Sequence, residues 1–492
     1  MTQSFPSTVH PSSTQHATPI TLQVPGDKSL SHRAVMFSTL LPHSEIHIHG
    51  LLAGADVRST LGVLQAMGLN ILHATDDLST LVLQCPEHLH EPSDVLDCGN
   101  SGTTMRLLSG LLPTLLRHQP HTTLTLTGDA SLRSRPMKRV IAPLAGMGVP
   151  WIARTGNTKA PMTLLPEQHP HTLRQVNALK DYTLPVASAQ VKSALLLAGL
   201  SASEPTTIIE PLVSRDHTET MLQALGVDLS IVPLDATQPL KGRRITLGAS
   251  QADALHARSL KHPTTHTWHI PGDISSAAFH LVAASSLPEG YPALNLTHVN
   301  LNPQRTGILS VLARMGVLID SKPDAPRCGE PCGTLHVIPS YARQHAEPAR
   351  HCTITPEEVP SLVDELPILA VAASFMHGSL TVTGAEELRA KESDRIESTM
   401  AMLQAVGIQA QGTPDGFIVQ GGNPEQYHTP NTMIHTYHDH RIAMSAMVLE
   451  KLVHAHQKGA LATTVETPWD IEAPECVAVS YPGFKTDLAR YI

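Results

Sequence analysis

The 492-residue chain has only six cysteines, Cys85, Cys98, Cys328, Cys332, Cys352 and Cys476, with no C-x-x-C pair. That spacing excludes a disulfide framework and a zinc ribbon and fits a reducing cytoplasm. Charge is sparse too: 16% of residues are charged, and Lys+Arg 34 against Asp+Glu 43 leaves −9. The balance argues against a nucleic-acid binder that works by neutralising phosphates, so an anionic ligand must meet a local cationic site. No run approaches the ~18 apolar residues of a membrane span, so the expectation is a soluble protein without a membrane partner. The stretch before Lys28 holds no Lys or Arg, so neither a secretory signal nor an Arg-rich transit pattern is expected there. Residues 1–18, rich in Ser, Thr, Pro and His, read as a disordered tail. Thirty histidines invite a metal, yet there is no H-E-x-x-H pair, and neither metal nor cofactor is expected.

What the chain does have is internal repetition. Five helix-like patterns end alike, in Met67-Gly68-Leu69, Met147-Gly148-Val149, Leu225-Gly226-Val227, Met315-Gly316-Val317 and Val406-Gly407-Ile408. Each runs into a glycine suited to the left-handed position past a helix, then an apolar residue that can open a strand. A second, densely apolar pattern with a polar start occurs six times: Lys28 to Leu40, Asn100 to Leu112, Ser188 to Leu200, Asp273 to Leu287, Asp364 to Met376 and His440 to Leu452. Short alternating strands such as Ile46-His-Ile48 and Leu380-Thr-Val-Thr383 follow. The unit is buried helix, strand, amphipathic helix, strand and hairpin, and six copies fill the chain. The polar stretch Gln251 to His269, between copies three and four, reads as the seam between two domains of three copies each.

Apolar helix bodies are architecture; their first turns are chemistry. These read Asp27-Lys28-Ser29-Leu30-Ser31-His32-Arg33, Gly99-Asn100-Ser101-Gly102-Thr103-Thr104-Met105-Arg106, Ser188-Ala189-Gln190, Asp364-Glu365 and Asp439-His440-Arg441. Free N–H groups and the positive dipole end collect where a helix starts, so hydroxyls, glycine and cations there make an anion site. Ordinary capping explains Asp273 and leaves Ser188 open, but cations such as Lys28, Arg33, Arg106 and Arg441 oppose the dipole unless an anion is present. The amphipathic helices add Arg133-Ser-Arg135-Pro136, Ser214-Arg215-Asp216-His217 and Arg389-Ala-Lys391-Glu392-Ser393-Asp394-Arg395. The i, i+4 spacing of Lys391 and Arg395 predicts one helix face gripping one anion.

These motifs resemble the signatures of the 5-enolpyruvylshikimate-3-phosphate synthases, in order from Thr21 to about Phe484. The resemblance implies an α/β fold of two similar domains, each three βαβαββ units with buried helices enclosed by sheets, the inverse α/β barrel of the enolpyruvyl transferases. It places the domains at 19–26 plus 271–492 and at 27–270. It implies transfer of the enolpyruvyl group of phosphoenolpyruvate to the 5-hydroxyl of shikimate 3-phosphate, with phosphate released, by addition and elimination, in chorismate and aromatic amino-acid synthesis. By the same resemblance Lys28, Ser29, Arg33, Ser188, Gln190, Arg215, Asp364 and Lys391 hold shikimate 3-phosphate. Lys28, Asn100, Gly102, Arg135, Gln190, Arg395 and Arg441 hold phosphoenolpyruvate, and Asp364, Glu392, Lys28 and His440 are the catalytic set. A cytoplasmic monomer is the expectation, with these two small molecules as its partners.

One departure stands out. A branch of the family places a lysine just before its final Thr-Phe-Pro, whereas here the segment is Val477-Ala-Val-Ser-Tyr-Pro482, with no basic residue until Lys485. Two other readings compete. UDP-N-acetylglucosamine enolpyruvyl transferase carries a reactive cysteine in a loop, but the comparable Gly128 to Pro136 has none. A non-catalytic phosphosugar-binding module would not need Asp364, Glu392 and His440. Addition of a hydroxyl across an enol ether requires a base on oxygen and an acid on the methylene carbon, which Asp364, Glu392 and Lys28 can supply.

Overall fold

The computed structural model describes residues 18–167, 174, 176–238, 241–458 and 468–492, so the tail expected over 1–18 lies outside the described residues apart from Thr18. Alternating Ile and His in Glu45–His49 buries Ile46 and Ile48 and turns His47 and His49 outward, as the period of a strand dictates. This strand, the hairpin Asn70–Ala74 with Thr80–Gln84, and the parallel edge strand Thr265–His269 make one four-stranded sheet. Four more sheets repeat that plan of one parallel edge strand beside an antiparallel hairpin. The sixth copy departs from it. Among the described residues its pairing is a single parallel bridge, Ile434 to Ile471, followed by short turns at Pro474–Val479 and Phe484–Leu488. Tyr481, between these two segments, and Phe484 and Leu488, from the second, plug the core instead of a hairpin.

The six apolar patterns are helices enclosed by these sheets. In Ile274–Ser286 all thirteen residues are buried, and in Leu366–Ser374 all nine. The amphipathic helices end where the glycines predicted, and Gly68, Gly148, Gly226, Gly316 and Gly407 have φ between 79° and 106°, a region that L side chains rarely adopt. The apolar residues form two cores. One runs from Leu30 to Ile270 with Cys328 added, and the other takes Leu22, Val24 and the chain from Ile274 onward.

The seam is not where polarity suggested. Gln251 to His269 is no linker: Gln251–Lys261 is a helix, and Thr265–His269 closes the sheet of the first copy. Its polar look comes from exposed Thr265, Thr267 and His269, while Trp268 faces inward. The chain instead crosses between the cores at 23–27 and 270–273, where Gly26 and Gly272 pair antiparallel. The Asp27 N–H donates to Pro271 O at 2.8 Å and the Asp273 N–H to Pro25 O at 2.9 Å. A Cβ on Gly26 would lie 1.9 Å from Gly50 O, so only glycine lets the first crossing segment lie against the turn at Gly50. Among the described residues no helix is long and apolar enough to cross a membrane.

Candidate active site

Because each enclosed helix starts at the seam, the polar first turns converge on one cleft. Asp27 caps Lys28–Ser38 by accepting from the Leu30 N–H at 3.0 Å, and the Lys28 N–H donates across the seam to Asp273 Oδ2 at 3.3 Å. The Lys28 ammonium is then fixed by Asp56 Oδ2 at 2.5 Å. Ser29 lies half-buried beside it. Arg33, 4% exposed, is bonded to neutral oxygens: Thr218 Oγ1 at 2.7 Å, Ser29 O at 2.9 Å and Ser193 Oγ at 3.0 Å. Burial pushes its pKa down to about 10 against the nearby carboxylates of Glu219, Asp27 and Glu330, so it keeps its charge at neutral pH. A buried guanidinium bonded to neutral groups is poised for an anion.

The helix Gly102–Leu115 is capped by Ser101 and opens on a second cationic spot. A Cβ at Gly102 would stand 2.8 Å from Arg106 Nη1 and 3.6 Å from Arg135 Nη1, so two guanidiniums flank a position kept clear by glycine. Arg106 donates to Gln190 Oε1 at 2.7 Å, and Gln190 donates to Thr103 Oγ1 at 3.1 Å. Arg135 donates to Asn100 Oδ1 at 2.6 Å, and Asn100 is held by Asp129 at 2.6 Å. Burial, then Arg139 and Arg135, push Arg106 down to about 9. Ser188 caps Ala189–Gly199 through a long 3.5 Å bond from the Val191 N–H.

The opposite wall is built around carboxylates. Asp364 Oδ2 accepts from Arg215 of the facing wall at 2.5 Å, and its Oδ1 lies 3.3 Å from Arg395 and 3.9 Å from Lys391. Arg441 donates to the Asp364 carbonyl at 3.0 Å. Burial alone would raise the pKa of Asp364, but Arg215, Arg441, Lys391 and Arg395 hold it well below the usual range. Glu392, 2.5 Å from Arg395, is likewise held down against burial by the charges of Arg395 and Lys28. Burial first, then Arg441 and Lys28, push His440 down to about 4, so its ring is neutral near pH 7. Arg395, 2% exposed, is anchored by fully buried Asp439 at 2.8 Å.

The predicted single helix face for Lys391 and Arg395 does not exist. Lys391 follows the 3-10 turn Glu386–Ala390 in extended backbone, and Arg395 opens the next helix, Arg395–Gln404, capped by Asp394. The two cations meet because both reach Asp364 Oδ1, not because of helical spacing. Nor does the segment before Pro482 supply a cation. It offers the carbonyl of Val479, against which a Cβ on Gly54 would stand at 2.3 Å, while Lys485 is exposed on the next turn. Among the described residues no three His, Cys, Asp or Glu side chains are disposed to hold a metal ion. Sequence reasoning missed Asp56, whose place in the first turn of Ala55–Gln65 looks like dipole compensation, and the Thr218 and Ser193 hydroxyls that hold Arg33. It also passed over Glu387, 2.6 Å from Lys391.

A model of the EPSP synthase (3-phosphoshikimate 1-carboxyvinyltransferase) family matches residues 14–488 of the chain. A 3-phosphoshikimate 1-carboxyvinyltransferase of Gloeobacter violaceus is 42% identical over 470 residues, 95% of each chain. One of Gluconobacter oxydans is 40% identical over 467 residues, 94% of this chain and 92% of its own. Among solved structures, an EPSP synthase of Acinetobacter baumannii aligns with a TM-score of 0.74 at 33% identity over 96% of each chain. The enolpyruvyl transferase NikO of Streptomyces tendae, TM-score 0.64 at 16% identity over 96% of this chain and 94% of its own, shares the fold.

Proposed function

The chain belongs to the EPSP synthase (3-phosphoshikimate 1-carboxyvinyltransferase) family, and on that premise we propose how its cleft carries out the transfer. The reaction joins the 5-hydroxyl oxygen of shikimate 3-phosphate to C2 of phosphoenolpyruvate while C3 gains a proton. Elimination then returns a proton from C3 and breaks the bond between C2 and the phosphate oxygen. Arg33, Ser29, Ser188, Gln190, Arg215, Lys391 and Lys28 hold shikimate 3-phosphate. Gly102, Asn100, Arg135, Gln190, Arg395, Arg441 and Lys28 hold phosphoenolpyruvate, with Arg106 added by its place beside Gly102. Asp364, kept ionised by the cations around it, takes the hydroxyl proton. Glu392 is kept ionised as well, so Lys28 delivers the proton to the methylene carbon and Glu392 recovers it in the elimination. His440, neutral beside these groups, adds no charge of its own.

The observation that carries this reading is the convergence of both walls on Asp364, with Arg215 reaching it from 149 residues away. We take 27–270 as one domain and 19–26 with 271–492 as the other, a division supported by the two separate apolar cores. We take the monomer as the working unit. Six unpaired thiols support a cytoplasmic setting. The test is phosphate release from phosphoenolpyruvate with and without shikimate 3-phosphate. Release that requires the second substrate is expected; release indifferent to it would overturn the assignment.

A further inference from the structure

Immediately after Arg215 the chain is gripped by the opposite domain. The strands Ile319–Arg327 and Glu330–Val337 form a hairpin whose tip, Cys328-Gly329, has φ of 54° and 79°, both left-handed. Cysteine is uncommon in that region. Here its side chain packs into the core of the 27–270 domain, and its Sγ donates to His269 O at 3.3 Å. A Cβ on Gly329 would stand 3.1 Å from Thr220, so the tip lies flush on the helix His217–Ala224. Behind the tip, fully buried Glu330 bonds His217 Nδ1 at 2.7 Å through Oε1 and accepts from Asn302 Nδ2 at 2.6 Å on Oε2. Asn302 also donates to Asp216 Oδ1 at 2.7 Å, and the other Asp216 oxygen accepts from Arg243 at 3.0 Å.

We infer that Glu330, with Asn302, is a positioning residue that sets where Arg215 points across the cleft, and thereby the affinity for shikimate 3-phosphate, without touching the substrate. The inference rests on the reading of Arg215 as a ligand of that substrate. Asp216 and His217 are the next two residues after Arg215, so holding both fixes the backbone from which the Arg215 side chain reaches Asp364. Burying a carboxylate at a domain seam is costly unless its bonds are made, and apolar side chains would have packed the tip equally well. Directional bonds do what apolar packing does not: they fix the register between the hairpin of one domain and the Arg215 segment of the other. The geometry therefore couples seating of the hairpin tip to the position of a substrate-binding cation.

The experiment measures Michaelis constants for both substrates in Glu330→Ala and Glu330→Gln, each in the wild-type and the Arg215→Ala background. Glu330→Ala is expected to raise the constant for shikimate 3-phosphate about tenfold while that for phosphoenolpyruvate stays within about twofold. Glu330→Gln restores most of the loss, because an amide still accepts from Asn302 and bonds the imidazole. In the Arg215→Ala background Glu330→Ala adds nothing. A rise shared equally by both substrates, or an undiminished effect without Arg215, would overturn the inference, since a merely structural role predicts either. If Arg215→Ala alone leaves the shikimate 3-phosphate constant unchanged, the reading of Arg215 fails and the inference falls with it. If Glu330→Ala does not fold, His217→Leu, which keeps the bulk and removes the bond, carries the same comparison.

Discussion

Arg33 and Arg395 are both almost fully buried, on opposite walls of one cleft, yet their surroundings are opposites. Arg33 is bonded to two hydroxyls and a carbonyl, whereas Arg395 is bonded to Asp439, Glu392 and Asp364. The contrast extends to each wall. On the 27–270 wall Arg33, Arg106 and Arg135 bond neutral groups at helix N-termini, which leaves positive potential for anions to neutralise. On the other wall Arg395 bonds carboxylates, and together with Arg215, Arg441 and Lys391 it holds Asp364 ionised against burial. The two walls thus differ in what they offer these buried guanidiniums: Arg33 meets neutral oxygens and Arg395 meets carboxylates.

The sharpest way to break this contrast is to remove each guanidinium in turn. Arg395→Met leaves Asp439 buried and uncompensated, and is expected to cost about 3–5 kcal/mol of stability along with activity. Arg33→Met strands no directly bonded carboxylate and should cost less. Thermal denaturation of the pair decides, and equal losses would erase the distinction. Next, Asp364→Asn should lower turnover at least ~100-fold with the shikimate 3-phosphate constant within a few-fold. Near-normal turnover would remove Asp364 from proton transfer. For Arg33→Met the main expectation is kinetic: a shikimate 3-phosphate constant raised by about 10–100-fold, the scale of a charge-assisted bond, with turnover at saturation largely kept.

Acid should affect both domains alike, and this is a finer check. His32 in one core and His280 in the other are both fully buried, and burial pushes each down to about 3. The folded state disfavours their charged form, so stability is complete above the ordinary histidine pKa near 6.5. It falls as pH drops from there toward about 3, by roughly 1.4 kcal/mol per pH unit for each ring. Denaturant titrations between pH 7 and pH 5 should show this slope before most carboxylates titrate, and His280→Phe should remove the share of one ring and leave that of His32. A flat profile in the unmodified protein would contradict the burial of both rings.

The smallest effect is expected at Gly102. The added methyl of Gly102→Ala meets Arg106 Nη1 at 2.8 Å, the far end of a side chain that can give way. The phosphoenolpyruvate constant should rise only a few-fold. If glyphosate competes with phosphoenolpyruvate at this subsite, as the resemblance to the family implies, it should lose more, because the longer ligand reaches farther toward the turn. Equal losses in the inhibition constant and the Michaelis constant would remove the steric role of Gly102.

Glycines 68, 148, 226, 316 and 407, the enclosed helices and the cationic first turns were legible in the amino-acid sequence because each depends on neighbours a few residues away. A left-handed glycine, an apolar period and a capping aspartate are local facts. One misjudged feature depended on a distant partner and the other on a local cap. Gln251 to His269 looked like a linker because half of a sheet strand faces water, and its pairing with Glu45–His49 lies more than two hundred residues back. Lys391 and Arg395 looked like one helix face because the i, i+4 spacing was read across Asp394, whose carboxylate caps the Ile396 and Glu397 N–H groups and starts the helix there. Which residues bear charge at helix starts was thus set by sequence alone. Whether a cation faces hydroxyls, as Arg33 does, or carboxylates, as Arg395 does, was decided only when folding joined segments as far apart as Arg215 and Asp364. Electrostatic environment depends on distance in space, and the chain's local order does not encode it.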